Sequence, residues 1–306
     1  AWQLTLYGIS LAALLIWGRR LHARWRILWA LALPFLFWVR LPGDLTVTML
    51  DVGQGECILV ETPRQGAILL DAGASDRHNV GSYQIVPCLK YCGVRKLEAV
   101  FVSHWDEDHT NALEEVFCWG RQENVKIGKL ILPAVSLEDE ALTDLLDLAA
   151  EYGIGVERIG AGSVWKLGAL SVACLHPYQD EAIGERNDTS TVLRLDYGDF
   201  RALFMGDLEA EGEAWLVERY KEQELSCDLL AVGHHGSNTS STLAFLQAAR
   251  PAVALISCGE NNRYGHPSKE VLGRMESLGI PVYVTAQRGA VRVRVQKKGI
   301  EVVCWR

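Results

Sequence analysis

The stretch that most restricts what this chain can become is Ser103-His104-Trp105-Asp106-Glu107-Asp108-His109. It follows the apolar run Leu97 to Val102, which reads as a buried strand, and precedes Asn111 to Phe117, which reads as the start of a helix. Ligand-type imidazoles and carboxylates crowded onto one strand-to-helix loop point to a metal site. A backbone that turns sharply can aim His104 and Asp106 one way and Asp108 and His109 another, so that one loop serves two neighbouring cations. A solvated acidic loop with two incidental histidines is the plainer reading. The loop's position tips the balance, because functional groups collect at the C-terminal ends of strands in open α/β sheets.

Other strand ends carry the same kinds of residue. Asp51-Val-Gly-Gln-Gly-Glu56 joins two strand-like runs, and its glycines allow close backbone approach, for a bend or for a phosphate. Leu69-Leu-Asp71-Ala-Gly73 places a carboxylate where it can make a turn or orient a ligand histidine from behind. Phe204-Met-Gly206-Asp207-Leu208 sets another carboxylate after a buried strand, and its two oxygens can hold two cations at once. Gly233-His234-His235-Gly236-Ser237 and Gly265-His266-Pro267 also lie in loops that follow strands. A histidine there can ligate a metal, protonate a leaving oxygen or clamp a substrate, and spacing does not separate these roles. His235 is assigned to the second cation and His266 to proton transfer or phosphate contact, with an exchange of roles left open. His234 is assigned a supporting place behind the ligands. Ser237 and Asn238 can donate to phosphate oxygens, while Arg263 and Tyr264, beside His266, suit backbone contact or base stacking.

Short strand-like runs and helical stretches alternate from Leu45 to the end of the chain, predicting two mixed sheets with helices outside. Residues 1–43 differ. They contain no Asp, Glu or Lys, and two apolar runs, Leu4 to Trp17 and Ile27 to Val39, flank Arg19, Arg20, Arg24 and Arg26. This reads as a membrane-associated helical hairpin, the tail of a preceding membrane domain, although the second run is short for a span and buried core helices are the alternative. Basic residues are retained on the cytoplasmic side, so residues 44–306 are expected on the extracytoplasmic face of the cell membrane. The whole chain carries −8 and residues 1–43 carry five arginines, which leaves −13 on residues 44–306. Such acidity argues against broad electrostatic adhesion to nucleic acid, though bound cations offset it locally. The eight cysteines form no Cys-x-x-Cys pair, which removes zinc-ribbon and thioredoxin-like readings.

The pattern His104-x-Asp106-x-Asp108-His109 resembles the HxHxDH signature of the metallo-β-lactamase superfamily, with Asp106 in place of the usual second histidine. The resemblance implies an αββα sandwich over residues 44–306, with Asp207 bridging two metals. It also places Asn187, within Glu185 to Ser190, where a further ligand histidine is common. Carboxylate for imidazole at Asp106 hardens the first position and shifts preference towards Mn²⁺, with Zn²⁺ or Mg²⁺ possible. Asn187 is a poorer ligand than imidazole but a good donor to a phosphate oxygen.

The order of these motifs, together with the apolar front, resembles the C-terminal module of competence DNA-uptake channel proteins. Thr110-Asn111-Ala112 stands where such proteins have a small, Gly-rich step. The resemblance implies a nuclease that degrades one strand of incoming DNA during natural transformation, with DNA, the membrane and the channel domain of the same full-length protein as partners. Asp108 would hold the attacking water as well as a metal. Hydrolysis of another phosphodiester or ester, or a catalytically silent DNA-guiding module, are the alternatives.

Overall fold

Runs rich in Val, Ile and Leu, bounded by glycine turns, become strands in a computed structural model of the chain, which describes residues 2–17, 22–32, 44–63, 66–135, 139–178, 187, 190–297 and 299–305. The chain divides into two compact units, Ala1–Gly43 and Asp44–Arg306.

The described part of the first unit consists of two helices, Trp2–Trp17 and Ala23–Ala32, of 16 and 10 residues. At about 1.5 Å per residue the longer spans about 24 Å, short of a hydrocarbon core of about 30 Å. No helix among the described residues is long and apolar enough to cross a membrane. Arg19, Arg20, Pro34 and the end of the second apolar run, on which the expected hairpin and its orientation depend, lie outside the described residues.

The second unit carries β1 (Leu45–Met49), β2 (Ile58–Thr62), β3 (Gly66–Leu70), β4 (Lys96–Phe101), β5 (Lys126–Pro133), β6 (Gly155–Ile159), β7 (Val164–Leu167), β8 (Leu170–His176), β9 (Val192–Tyr197), β10 (Phe200–Phe204), β11 (Leu229–Ala231), β12 (Val253–Ile256), β13 (Val282–Val284), β14 (Ala290–Gln296) and β15 (Gly299–Trp305). One sheet runs β15-β14-β1-β2-β3-β4-β5-β6 and the other β13-β12-β11-β10-β9-β8-β7. Each is antiparallel at one end and parallel at the other, the parallel parts being β3 to β6 and β10 to β13.

Because strand side chains alternate, central strands apolar on both faces must be covered twice. Met49, Ile58, Ile68, Ala99 and Phe101 meet Val172, Leu195, Ala202, Phe204 and Leu255 between the sheets. Leu59, Leu69, Val100 and Leu130 turn outward onto Leu89, Val116, Phe117 and Leu145 of the flanking helices. Leu203, Leu230 and Ala254 do the same on the far side against Leu216, Phe245, Val271 and Met275. The result is the expected αββα order. Side chains of Asp139, Thr242 and Ser268 cap three of the outer helices at N–H groups that have no partner within the helix.

Several elements differ from expectation. β6 is an edge strand of which only Ile159 is buried, so it has no apolar run to announce it. A π-helical turn, Gly81–Ile85, runs into helix Val86–Cys92. The helix expected from Asn111 begins at Leu113 and runs to Gln122, and a separate helical turn, Glu107–Thr110, precedes it. Arg292 and Arg294, two apart on β14, suggest a basic face that could guide a polyanion, but Arg292 is engaged by Thr48 Oγ1 at 2.9 Å and Glu61 at 3.5 Å. It is therefore tied into the sheet and not offered to a polymer. All eight cysteines are free.

Three strand-end loops pack backbone against backbone. The N–H of Glu56 donates to Asp108 O (3.0 Å), that of Ala72 to His109 O (2.8 Å) and that of Ala112 to Ala72 O (3.0 Å). A Cβ at Gly55 would lie 2.3 Å from Gly73 O, and one at Gly73 would lie 2.5 Å from Glu107 O. Asn111 adds a clamp, accepting from Ala74 N–H at 3.0 Å and donating to Ala74 O at 2.6 Å. This departure from a Gly-rich step therefore does structural work.

Gly73→Ala is expected to lower unfolding free energy by about 1–3 kcal/mol and to weaken divalent-cation uptake; an unchanged denaturation midpoint would contradict this packing. A second expectation concerns Glu213, whose buried carboxylate accepts from the N–H groups of Ser241 and Thr242. Burial raises its pKa from 4.5 to about 7. The stabilisation linked to its protonated form is complete below the unfolded value and lost as pH rises through about 7. The stability of the parent chain relative to Glu213→Gln should therefore fall over that range, by no more than about 3 kcal/mol, in denaturant titrations at several pH values.

Candidate metal centre

The C-terminal ends of β3, β4, β10, β11 and β12 open onto one edge of the sandwich, and their loops supply the polar groups of a single cluster. Asp71, after β3, adopts a left-handed backbone (φ 54°) and turns its carboxylate inward. Its Oδ1 accepts the Ser103 N–H at 2.7 Å, and its Oδ2 accepts the Ser103 hydroxyl at 2.7 Å and lies 2.9 Å from His109 Nδ1. Ser103 Oγ also lies 3.1 Å from His104 Nδ1. Both rings are thus held from behind, with Nε2 facing the cluster.

The second sheet answers with Asp207, after β10, whose N–H donates to Ser190 Oγ at 3.1 Å. After β11, His234 and His235 take successive left-handed conformations (φ 47° and 52°). For non-glycine residues this costs roughly 1–2 kcal/mol each, a kind of strain that collects at functional sites. His235 Nδ1 is held by Ser257 O at 3.0 Å and His234 Nδ1 by Glu209 Oε1 at 2.9 Å.

The inward atoms are close. His109 Nε2 lies 3.2 Å and His235 Nε2 3.7 Å from Asp207 Oδ1, and His235 Nε2 lies 3.3 Å from Asp108 Oδ2. Ligand atoms of Asp108, His109, Asp207 and His235 all lie within 4.8 Å of one another. On the other side, His104 Nε2 is 3.7 Å from Asp106 Oδ2 and 4.0 Å from Asp207 Oδ2. His104 Nε2, His109 Nε2, His235 Nε2 and Asp207 Oδ1 are buried without a hydrogen-bond partner. Buried polar atoms normally have partners, so this set fits divalent cations, which such donors would hold.

The electrostatics agree with that fit. Burial pulls His109 down, but the charges of Asp207 and Asp71 carry it well above the usual imidazole range. Burial likewise opposes His235, which Asp207 and Asp108 raise. Burial pushes Asp207 up, while His235 and His109 hold it well below the ordinary carboxylate range. Asp108 is lowered to about 2 by His235 and His109 against burial. His104 is lowered to about 4 by burial and by neighbouring His109. Glu56, buried nearby, is raised to about 8 by burial and by Asp71.

His266 stands apart. Gln54 accepts the Gly259 N–H through Oε1 (3.2 Å), which turns its amide nitrogen to His266 Nδ1 at 3.4 Å. With Nδ1 accepting, a neutral ring carries its proton on Nε2, the reverse of the four other histidines. Its ring centre lies 5.7 Å from that of His234 and 6.4 Å from that of His235. Burial and His235 hold it down at about 4. Tyr264, half exposed, stacks on it at 5.6 Å, and Arg263 lies over the Tyr264 ring at 5.0 Å.

Other expected contacts are arranged differently. Asn187 Nδ2 donates to Glu209 Oε1 at 3.3 Å, while Glu185, Arg186, Asp188 and Thr189 lie outside the described residues. Ser237 is buried, its hydroxyl 2.8 Å from Thr239 Oγ1, so it serves the turn more than an incoming phosphate. Asn238 is exposed, and its carbonyl accepts from Arg274 at 3.1 Å. Gln54, Ser103 and Glu209 were not anticipated. All three act through hydrogen bonds to histidine, which no local spacing signals.

Residues 50–117 and 179–260 match the metallo-beta-lactamase superfamily. The chain is 30% identical to ComE operon protein 3 of Bacillus subtilis over 84% of its own length and 34% of that protein's. It is 31% identical to competence protein ComA of Neisseria gonorrhoeae, over 85% of its own length and 33% of that protein's. It thus spans about a third of the curated relatives it matches. Among solved structures, the metallo-beta-lactamase fold protein YhfI from Bacillus subtilis superposes with a TM-score of 0.51 at 13% identity, covering 79% of this chain and 96% of that one. Two packed sheets, the motifs at their strand ends and these relatives identify the chain as a homologue of the competence proteins that carries a metallo-β-lactamase domain.

Proposed function

We propose that residues 44–306 are a metal-dependent phosphodiesterase domain that degrades DNA during uptake, cutting one strand while the other passes through the channel domain of the same full-length protein. The observation that carries this reading is the convergence on Asp207 of buried imidazole nitrogens that have no hydrogen-bond partner. The names of the relatives, a ComE operon protein and a competence protein, support the DNA-uptake setting.

His104, Asp106 and Asp207 would hold one cation, and Asp108, His109, Asp207 and His235 the other, with Mn²⁺ favoured by the share of carboxylate oxygen. Cations there supply Lewis acidity at the phosphoryl oxygen and lower the pKa of the attacking water. Asp108, partly exposed, would accept a hydrogen bond from that water and orient it. His266, neutral with Nδ1 accepting from Gln54, would donate a hydrogen bond from its Nε2–H to the departing or nonbridging oxygen and so stabilise the charge that develops there. Tyr264 offers a stacking face for a base, and the exposed Arg263 and Asn238 would contact the phosphates. Asp71, through His109, keeps a ligand ring in place.

Residues 1–43 fit a membrane-associated tail of the channel domain. They carry no acidic residue, and Ile9, Ile16, Ile27 and Leu31 are each at least 60% exposed. The extracytoplasmic placement of residues 44–306 follows from the arginines between the apolar runs. One observation favours a second reading. The charge of −13 on residues 44–306 suits a small phosphodiester or ester better than a long polyanion.

Incubated with Mn²⁺, the chain is expected to degrade linear and circular DNA, single- or double-stranded. Asp207→Ala should abolish that activity and His266→Ala should slow it by about 100-fold or more, with melting curves retained. Cleavage that survives Asp207→Ala, or turnover of small phosphodiesters without DNA cleavage, would overturn the nuclease reading. A further outcome follows from the raised His109 and His235. Cation uptake displaces their protons, so apparent affinity should fall as pH falls. Calorimetric titrations in buffers of different ionisation heat should report proton release, and its absence would count against these ligands.

A further inference from the structure

We propose that His234 ligates the first cation, in place of the imidazole missing at Asn187; the assignment rests on the two-cation reading above and goes beyond it. Asp207 sorts the surrounding histidines by oxygen. Its Oδ1 faces His109 Nε2 at 3.2 Å and His235 Nε2 at 3.7 Å, the Asp108 side. Its Oδ2 faces His104 Nε2 at 4.0 Å and His234 Nε2 at 3.7 Å. His104 Nε2 in turn lies 3.7 Å from Asp106 Oδ2. Donors about 2.1 Å from one ion stand about 3.0 to 4.2 Å apart in an octahedron. The steps Asp106–His104–Asp207–His234 fall within that range.

The hydrogen bonds of His234 give the same answer. Its Nδ1 lies 2.9 Å from Glu209 Oε1, a carboxylate that can only accept, so the neutral ring presents a lone pair at Nε2. In that tautomer the lone pair faces Asp207 Oδ2, also an acceptor, at 3.7 Å, an arrangement that a shared cation satisfies. A ring without a proton on Nε2 cannot donate to a phosphate, which disfavours a substrate-clamping role. The other cluster histidines are also held at Nδ1, by Ser103, Asp71 and Ser257 O, with Nε2 turned inward. Carboxylate–histidine–metal relays of this kind orient ligands at metal sites.

Glu209 also explains residue 187. The amide of Asn187 donates to the same Oε1 at 3.3 Å. The position where the resembled superfamily commonly places a ligand thus supports Glu209, which supports His234, and the ligand comes from the end of β11 instead.

Manganese bound per chain, measured by equilibrium dialysis with elemental analysis and by paramagnetic resonance, tests this. The parent chain should hold two ions with a spin-coupled spectrum, and His234→Ala one ion with an uncoupled spectrum. The His234 side chain is 23% exposed, so its removal should leave the melting curve of the cation-free protein unchanged. Glu209→Gln should hold two ions, the first weakened by about 10–100-fold. Two ions bound by His234→Ala with parental affinity and coupling would overturn the assignment while leaving the two-cation reading standing. Fewer than two ions on the parent chain would overturn both.

Discussion

The cluster depends on backbone touching backbone. Loops 51–56, 71–74 and 104–109 meet through main-chain hydrogen bonds at glycines that leave no room for a side chain. Main-chain contacts lack rotamer freedom, so they fix where Asp71, Asp108 and His109 begin. The side chains then need only one staggered choice each to converge. Serine, carboxylate and carbonyl acceptors on Nδ1 remove the remaining freedom, which is the rotation of the imidazole rings.

This order is held against opposing forces. Buried carboxylates repel one another, imidazole nitrogens lie without partners, and two adjacent non-glycine residues stand in left-handed backbone. Each feature costs free energy in the cation-free protein. The cost is met by three apolar layers that do not involve the cluster, chief among them the one between the sheets. Positive charge bound at the cluster relieves the repulsion and the missing partners together, so cation binding and folding stability are coupled.

The strands were legible because apolar alternation and glycine turns are local signals, and strands buried on both faces announce themselves as unbroken apolar runs. β6 was not legible, since an edge strand with a single buried residue has no such run. Asp207 was readable as a candidate because it sits just past a buried strand, and His109 because it shares one strand-to-helix loop with other ligand-type side chains. His234 was read as a supporting residue because an isolated histidine is usually a structural or surface residue. Two left-handed residues in succession remove that expectation and bring both rings to one carboxylate. Gln54 and Glu209 were invisible because their meaning lies in partners distant in sequence: Gly259 and His266 for Gln54, His234 for Glu209.

The contact between Gln54 and His266 joins residues 212 positions apart. Everything the first sheet contributes to the cluster has left the ribosome well before residue 266 is made, and the second sheet must still dock before the amide finds its ring. Contacts of such sequence separation form late, because a long loop has to close first. A nascent chain can therefore present acidic, cation-attracting loops while still lacking its polarised imidazole, and reactivity waits for the last third of the domain.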